Sequence, residues 1–220
     1  MFDKKDIIYK KLNYIHNPVI LELGVNRGRS SKMFFDYINH KGGKLFSIDI
    51  RDCSNAIVSP DWNFFQCNDL NLNEILKKFP VLEKGIDLLF IDSYHEPNHI
   101  KILLHTWFYY VKKDGLIYFD DTESYLYRLK KNIILSVTND SINNEVKQFY
   151  HQNYNQLLYT KYFHGTGLAE FQKVSDLYIK PSNNKIWEYN FVVGKIYLFL
   201  KKLKFYFLYK FFKKKYYQIF

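Results

Sequence analysis

Three aspartates close two apolar runs of this sequence. Asp92 ends the run 86–92, and the adjacent pair Asp120 and Asp121 ends the run 115–121. Carboxylates that lie close together repel, so such a group either surrounds a cation or caps turns and helices. Because no cysteine accompanies these oxygen donors, a hard cation such as Mg²⁺ is favoured, and Mg²⁺ commonly takes few protein ligands. A cation at this place can bind a substrate hydroxyl and lower its pKa.

A glycine turn, "LELGVNRGRSS", joins the first predicted strand to the helix that follows it. Glycine lets a ligand approach the backbone, and free amides at the start of a helix favour polar or anionic groups. The spacing differs from the GxGxxG pattern of dinucleotide sites, so a ligand with a carboxylate and no phosphate fits better. The alternative is a tight turn without a ligand. The candidate ligand-binding residues of this turn are Glu22, Gly24, Asn26, Gly28 and Ser30.

Two further predicted strands end in polar residues. Asp49 ends the second strand, where an acid can accept hydrogen bonds from both hydroxyls of a ribose. Asn68 and Asp69 follow the third strand, where a side-chain oxygen can accept a hydrogen bond from an adenine amino group. The alternative role for either residue is the N-cap of the next helix.

The elements that carry these residues alternate between strand and helix. Strands that are apolar throughout and separated by helices predict a parallel sheet covered on both faces, with ligands bound at the carboxyl ends of the strands. We therefore predict an α/β fold with a Rossmann-like, doubly wound, mostly parallel sheet, followed by a β-hairpin at 156–173. The predicted strands are 18–24, 42–50, 62–68, 86–92 and 115–121, and the predicted helices are 3–16, 29–39, 70–79 and 97–111.

Charge and composition suggest one domain with an appendage. The 220 residues suffice for a full domain at 1–180, followed by a basic, aromatic appendage at 181–220. Of the formal net charge of +10, the segment 191–220 carries eight lysines and no acid, so the positive charge is local and no nucleic-acid partner is expected. Two cysteines without metal-ligand spacing, and an amino-terminal stretch without a signal-peptide pattern, indicate a reduced, cytoplasmic protein.

The segment 191–220 is predicted to be a helix that lies outside the sheet. Its aromatic residues suit the headgroup boundary of a bilayer, and its lysines can extend toward anionic lipid. Peripheral association with the inner membrane surface is therefore one expectation. Packing on the catalytic domain, or on a second copy in a homo-oligomer, is the alternative.

The motifs taken together resemble a known family. E-L-G-x-x-x-G at 22–28, the acid at 49 and the acids after the fourth and fifth strands resemble class I S-adenosylmethionine-dependent methyltransferases. The segments "ILELGVNRGRSS", "GKLFSIDI", "DSYHEPNHI" and "YFDDT" resemble the cephalosporin hydroxylase-like and macrocin-type O-methyltransferase group. The resemblance covers residues 18–122, with weaker agreement at 165–171.

The resemblance implies a reaction and a ligand set. The reaction is methyl transfer from S-adenosylmethionine to a hydroxyl of a sugar or other small polyol. The implied metal is Mg²⁺, held by Asp92, Asp120 and Asp121. Relatives often carry a general base two residues after the first acid, and this sequence has Tyr94 there with His95 beside it. Histidine is better suited to accept a proton near neutral pH, so we expect His95 to be the base, with Tyr94 as the alternative.

Two other functions remain open from the sequence. A nicotinamide-dependent oxidoreductase can use the same sheet, although the glycine spacing disfavours it and leaves the three acids without a role. A catalytically degenerate methyltransferase fold that binds a membrane or a partner is the second, because Tyr94 replaces an acid. The sequence also contains His99, which we place in the first turn of the helix that begins at Pro97, without a metal role.

Overall fold

The structure is a computed structural model, and residues 4–175 are the part of the chain that it describes. The predicted appendage at 181–220, with its segment 191–220, lies outside the described residues. Within residues 4–175, no helix is both long enough and apolar enough to cross a membrane.

Helices and strands alternate along the described part of the chain, as the sequence predicts. The helices are α1 (Lys4–Leu12), α2 (Arg29–Lys41), α3 (Leu72–Lys78), α4 (Pro97–Trp107), α5 (Tyr125–Leu129) and α6 (Ile133–Gln152). The strands are β1 (Val19–Leu23), β2 (Lys44–Asp49), β3 (Asn63–Gln66), β4 (Ile86–Ile91), β5 (Val111–Asp120), β6 (Leu157–Tyr162) and β7 (Leu168–Lys173).

The seven strands found in residues 4–175 form one sheet in the order β3-β2-β1-β4-β5-β7-β6. Strands β1 to β5 are parallel, and β7 runs antiparallel both to β5 and to β6. This arrangement confirms the predicted Rossmann-like sheet and the predicted hairpin. Because β1 lies between β2 and β4, the carboxyl ends of these three strands meet at one edge of the sheet.

Both faces of the sheet are covered by apolar packing. Leu21 and Leu23 of β1 face a cluster that includes side chains of α3, α4 and α6, such as Trp107 and Phe149. Ile20 of β1 lies in a second cluster with side chains of α1 and α2. Burial on both faces explains why the strands are apolar throughout rather than alternating.

Several element boundaries differ from the predicted ones, and contacts in the structure account for two of them. Helix α4 ends at Trp107 instead of reaching Val111, because Val111 already pairs with Ile86 as the first residue of β5. Helix α3 begins at Leu72, since the Asn68 side chain accepts a hydrogen bond from the Leu70 amide and holds a turn there.

Candidate active site

A cleft of about 630 Å³ opens at the carboxyl edge of the sheet. This volume lies within the range of sites for small ligands and cofactors. Most of the residues predicted from the sequence line it, although the chain separates them by up to about a hundred positions. The predicted residues in the lining are Gly24, Asn26, Asp49, Asn68, Asp69, Asp92, Tyr94, His95 and Asp121.

Asp49 holds the glycine turn in place. Its Oδ2 accepts hydrogen bonds from the backbone amides of Val25 and Asn26, both at 2.9 Å, and its Oδ1 accepts one from the amide of Arg51 at 2.9 Å. Burial raises the pKa of the Asp49 carboxyl, but these amide hydrogen bonds outweigh burial and leave the pKa below its usual value. Asp49 is therefore an ionised acceptor at the cleft wall.

The glycines of the turn bring backbone segments together. Gly24 has φ +97°, and a Cβ there would lie 2.1 Å from the carbonyl oxygen of Asp92. Gly28 has φ +71°, and its missing Cβ faces Ala56 at 2.7 Å. Both positions need glycine because a side chain there would collide with neighbouring atoms of the protein. Gly24 lines the cleft, whereas Gly28 does not.

Glu22 and Ser30 lie behind the cleft lining. Glu22 is fully buried, and its Oε2 accepts hydrogen bonds from the hydroxyls of Ser31 at 2.6 Å and Ser47 at 2.7 Å. Burial raises the pKa of the Glu22 carboxyl, and the hydroxyl of Ser30 is among the groups that oppose this rise. The Oε1 atom of Glu22 has no hydrogen-bond partner. Glu22 therefore joins β1, β2 and the start of α2 below the site.

Asp69 forms a contact that the sequence does not reveal. Its Oδ2 lies 3.1 Å from Nε2 of His99, and its carbonyl oxygen accepts a hydrogen bond from the indole of Trp107 at 3.2 Å. His99 lies in the first turn of α4, as predicted, where its amide donates to the capping side chain of Glu96 at 2.8 Å. The contact between Asp69 and His99 thus fixes α4 against the end of β3. The two residues are 30 positions apart in the chain, and no sequence pattern predicts a contact over that separation.

A second group of polar residues lies at the β4 and β5 end of the cleft. His95 Nε2 lies 3.6 Å from Asp92 Oδ1 and 3.7 Å from Asp121 Oδ2. One ligand atom from each of these three residues lies within 4.8 Å of the others. The two carboxylate oxygens at these separations fit a divalent cation that also keeps water ligands, with the imidazole nitrogen of His95 beside it.

The carboxylates of this end repel one another. Burial raises the pKa of the Asp92 carboxyl to about 8, and the charges of Asp120 and Asp121 add to the rise. A cation between Asp92 and Asp121 would relieve this repulsion. The buried Oγ of Ser93, beside Asp92 in the lining, has no hydrogen-bond partner. The chemistry of the donors therefore fits the metal that the sequence predicts.

Asp120 has a different partner from its two neighbours. Its carboxylate forms an ion pair with the Lys4 ammonium group of α1, which also donates to Thr166 Oγ1 at 2.8 Å. Burial raises the pKa of the Asp120 carboxyl, and Lys4 opposes that rise. The structure thus brings Asp92 and Asp121 together around His95 and directs Asp120, the third predicted metal ligand, to Lys4.

Tyr94 and His95 differ in placement. Tyr94 is 68% exposed, and its ring packs edge-on against the ring of His99, with centroids 5.6 Å apart. His95 faces the carboxylates of Asp92 and Asp121. Of the two candidates for the base, His95 is the one beside the predicted metal ligands.

Comparison with known proteins agrees with the fold. Residues 21–122 match a family model described as a methyltransferase domain. No curated protein sequence is significantly similar to this chain.

Several solved methyltransferases share the fold. The SAH-bound methyltransferase PaMTH1 of Podospora anserina has a TM-score of 0.60 and 12% identity, over 80% of each chain. MycE of mycinamycin biosynthesis, solved with Mg and SAH, has a TM-score of 0.56 and 15% identity, over 83% of this chain and 51% of MycE. CalS11, a TDP-rhamnose 3′-O-methyltransferase of calicheamicin biosynthesis, has a TM-score of 0.55 and 13% identity, over 76% of each chain.

Proposed function

We propose that this chain is an S-adenosylmethionine-dependent methyltransferase that methylates a hydroxyl oxygen with the assistance of Mg²⁺. The match of residues 21–122 to the family model of a methyltransferase domain supports the proposal. The observation that carries the proposal is the group formed by Asp92, His95 and Asp121 at one end of the cleft. Asp49 and the glycine turn line the same cleft. A donor site and a site for deprotonating the acceptor would thus share one cleft.

The donor end would bind the cofactor through groups already in place. Asp49 keeps acceptor capacity beyond its three amide hydrogen bonds, because a carboxylate offers about four lone-pair positions, and it would accept from ribose hydroxyls. Asn68 and Asp69 lie in the lining near the predicted adenine position. When bound, S-adenosylmethionine supplies an electrophilic methyl group on a sulfonium.

The acceptor end would hold the metal between Asp92 and Asp121. When bound, Mg²⁺ supplies Lewis-acid stabilisation of an alkoxide. MycE, a structural neighbour, was solved with Mg and SAH, which supports this assignment. Lys4 neutralises Asp120, so two carboxylates remain to face the cation.

His95 would accept the proton of the acceptor hydroxyl. Its Nε2 lies 3.6 Å from Asp92 Oδ1 and 3.7 Å from Asp121 Oδ2. Nε2 would take the proton of the hydroxyl, and the oxygen would gain the methyl group that the sulfonium loses when its carbon–sulfur bond breaks.

The acceptor is proposed to be a sugar or other small polyol. The support is the structural likeness to CalS11, which acts on TDP-rhamnose. Residues 123–175, which form α5, α6, β6 and β7 after the acidic pair, would supply the wall that selects the acceptor.

A turnover assay tests the proposal. The purified chain is incubated with S-adenosylmethionine, Mg²⁺ and a panel of sugar nucleotides, glycosides and polyols, and formation of S-adenosylhomocysteine is followed with and without chelator. We expect acceptor-dependent turnover that chelator abolishes and that His95→Gln lowers by about a hundredfold or more. His16→Gln, a substitution of an exposed histidine outside the cleft lining, is the matched control and should leave turnover unchanged.

The same assay can contradict each part separately. Turnover that is equal in chelator and in Mg²⁺ would contradict the metal assignment but not the assignment as a methyltransferase. Thermal stabilisation by NAD and none by S-adenosylhomocysteine would favour the oxidoreductase instead. Binding of S-adenosylhomocysteine without turnover of any acceptor would favour the degenerate fold.

A further inference from the structure

Exposed apolar side chains are concentrated in residues 125–137. Of fifteen large apolar side chains that are exposed within the described part of the chain, six lie in these thirteen residues. Ile133 and Ile134 are 74% and 79% exposed. The other four are Tyr125, Leu129, Leu135 and Val137. A concentration of this kind is typical of a surface that meets a partner, since scattered single residues are the usual pattern.

The helices α5 and α6 present these side chains at a tight turn. Lys131, with φ +54°, forms the turn, and the Asn132 side chain caps α6 by accepting the amide of Leu135 at 3.2 Å. Ser124 Oγ donates to Asp140 at 2.6 Å, which ties the start of α5 to α6. In the first turns of α6, Ser136 is buried while the apolar residues around it are exposed. The turn therefore projects from the fold with its apolar residues outward.

The charge of this surface is positive. Arg128, Lys130 and Lys131 all lie within 125–137, and the segment contains no acid. The two acids that flank residues 125–137 already form ion pairs, Asp140 with Arg128 and Glu123 with Lys161. Lys130 and Lys131 are both exposed. The surface thus combines apolar side chains with uncompensated lysines.

This charge selects among the partners that could cover the surface. A second copy joined through the same residues would place its lysines against these lysines. The segment 191–220 of the same chain carries eight lysines and no acid, so its charge does not complement these lysines either. An anionic lipid surface is complementary, because apolar side chains can enter the headgroup region while lysines remain at the level of the phosphates.

We propose that residues 125–137 form a docking surface for an anionic membrane. The proposal is independent of the methyl acceptor and of the metal. It is also distinct from any role of 191–220, because it concerns a surface of the folded domain.

Cosedimentation of the full chain with vesicles tests the surface. The vesicles contain phosphatidylcholine alone or a 3:1 mixture with phosphatidylglycerol (roughly the anionic content that polybasic segments need), at low and high salt. We expect binding to the anionic vesicles that high salt weakens. Lys130→Ala combined with Lys131→Ala should weaken it roughly 25-fold, about fivefold for each lysine. Ile133→Ser combined with Ile134→Ser should weaken it about tenfold or more.

Matched variants separate the surface from general effects. Lys113→Ala replaces an exposed lysine elsewhere, and Val58→Ser combined with Ile102→Ser removes exposed apolar side chains elsewhere. These controls should bind as the wild type does. A further variant, Ile133→Trp, should show fluorescence quenching by brominated lipid, which requires insertion of that position into the bilayer.

Three results would overturn the proposal. The first is an absence of binding to anionic vesicles at low salt. The second is unchanged binding in both double variants, which would place the contact elsewhere in the chain. The third is a dimer in analytical ultracentrifugation that Ile133→Ser with Ile134→Ser dissociates, because that result would assign the surface to a second copy.

Discussion

The raised pKa of Asp92 makes metal binding depend on pH. The Asp92 carboxyl has a pKa of about 8, against an ordinary value of 3.8, because it is buried and lies near two other acids. A metal ligand must be ionised, so the ion has to displace this proton. At pH 6 a group with this pKa is ionised to about 1%, so the dissociation constant of the metal should be about a hundredfold weaker than above pH 8.

Calorimetry measures both the affinity and the displaced proton. Titrations of Mg²⁺ or Mn²⁺ at pH 6, 7 and 8 should show an affinity that rises about ninefold from pH 6 to 7 and about fivefold from pH 7 to 8. At pH 7, titrations in buffers of different ionisation enthalpy should show release of about 0.9 proton for each ion bound. An aspartate of ordinary pKa would release almost none.

His95 is the neighbouring group that could imitate this result, since it lies within 4 Å of both carboxylates. The variant His95→Gln removes it. If Asp92 is the source, the slope with pH and the released proton persist in His95→Gln. A dissociation constant that is equal at pH 6 and pH 8 in the wild type would refute the reasoning, because it would mean that Asp92 is already ionised.

The same carboxyl affects the stability of the metal-free protein. Because the pKa of Asp92 is higher in the folded state than in the unfolded chain, its ionisation destabilises the fold progressively as the pH rises from about 4 to about 8. Asp92→Asn cannot ionise, so in chelator it should melt at a higher temperature than the wild type at pH 8, with a smaller difference at pH 5. An equal difference at both pH values would contradict the shifted pKa.

Three other predictions concern the donor, the acid pair and the appendage. Asp49→Ala should weaken binding of S-adenosylhomocysteine about ten- to a hundredfold in calorimetry, and an unchanged affinity would remove Asp49 from the donor site. Asp121→Asn should abolish the Mg²⁺ requirement and most turnover, with little effect on donor affinity. Asp120→Asn should lower turnover less, because Asp120 pairs with Lys4. Flotation with anionic liposomes should carry the full chain upward, and a chain that ends at Asn190 should float more weakly at the same salt; equal flotation of the two chains would make 191–220 a packing element.

The sequence predicted the sheet well because its signal is local. Strands β1, β2 and β4 are short apolar runs bounded by glycine or polar residues and are almost fully buried, so their hydrophobic pattern and flanking residues suffice to find them. Boundaries were less accurate where pairing across the sheet decides them. Val111 belongs to β5 because Ile86 of β4 pairs with it, and nothing in the neighbouring residues marks that partner.

The site was predictable to the extent that the topology gathers strand ends. Asp49, Asp92 and Asp121 follow three different strands, and a parallel sheet brings such positions to one edge. The partner of each side chain was not predictable. Asp120 and Asp121 are adjacent in the chain, yet one contacts Lys4 from α1 and the other faces His95. Only the packing of α1 on the sheet separates their environments.

The position of α1 has a consequence for how the chain folds during synthesis. This helix precedes the strands β1 to β7 in the chain, but Lys4 pairs with Asp120 and Lys11 with Glu170, so these partners belong to β5 and β7. Ile8 and Leu12 likewise pack in a cluster that includes Leu168 of β7. The helix therefore has to wait for nearly the whole domain to be synthesised before it can dock. Contacts of such long sequence separation form slowly, so the pairing of Lys4 with Asp120 is completed long after the residues of the donor site at 22–69 have been synthesised.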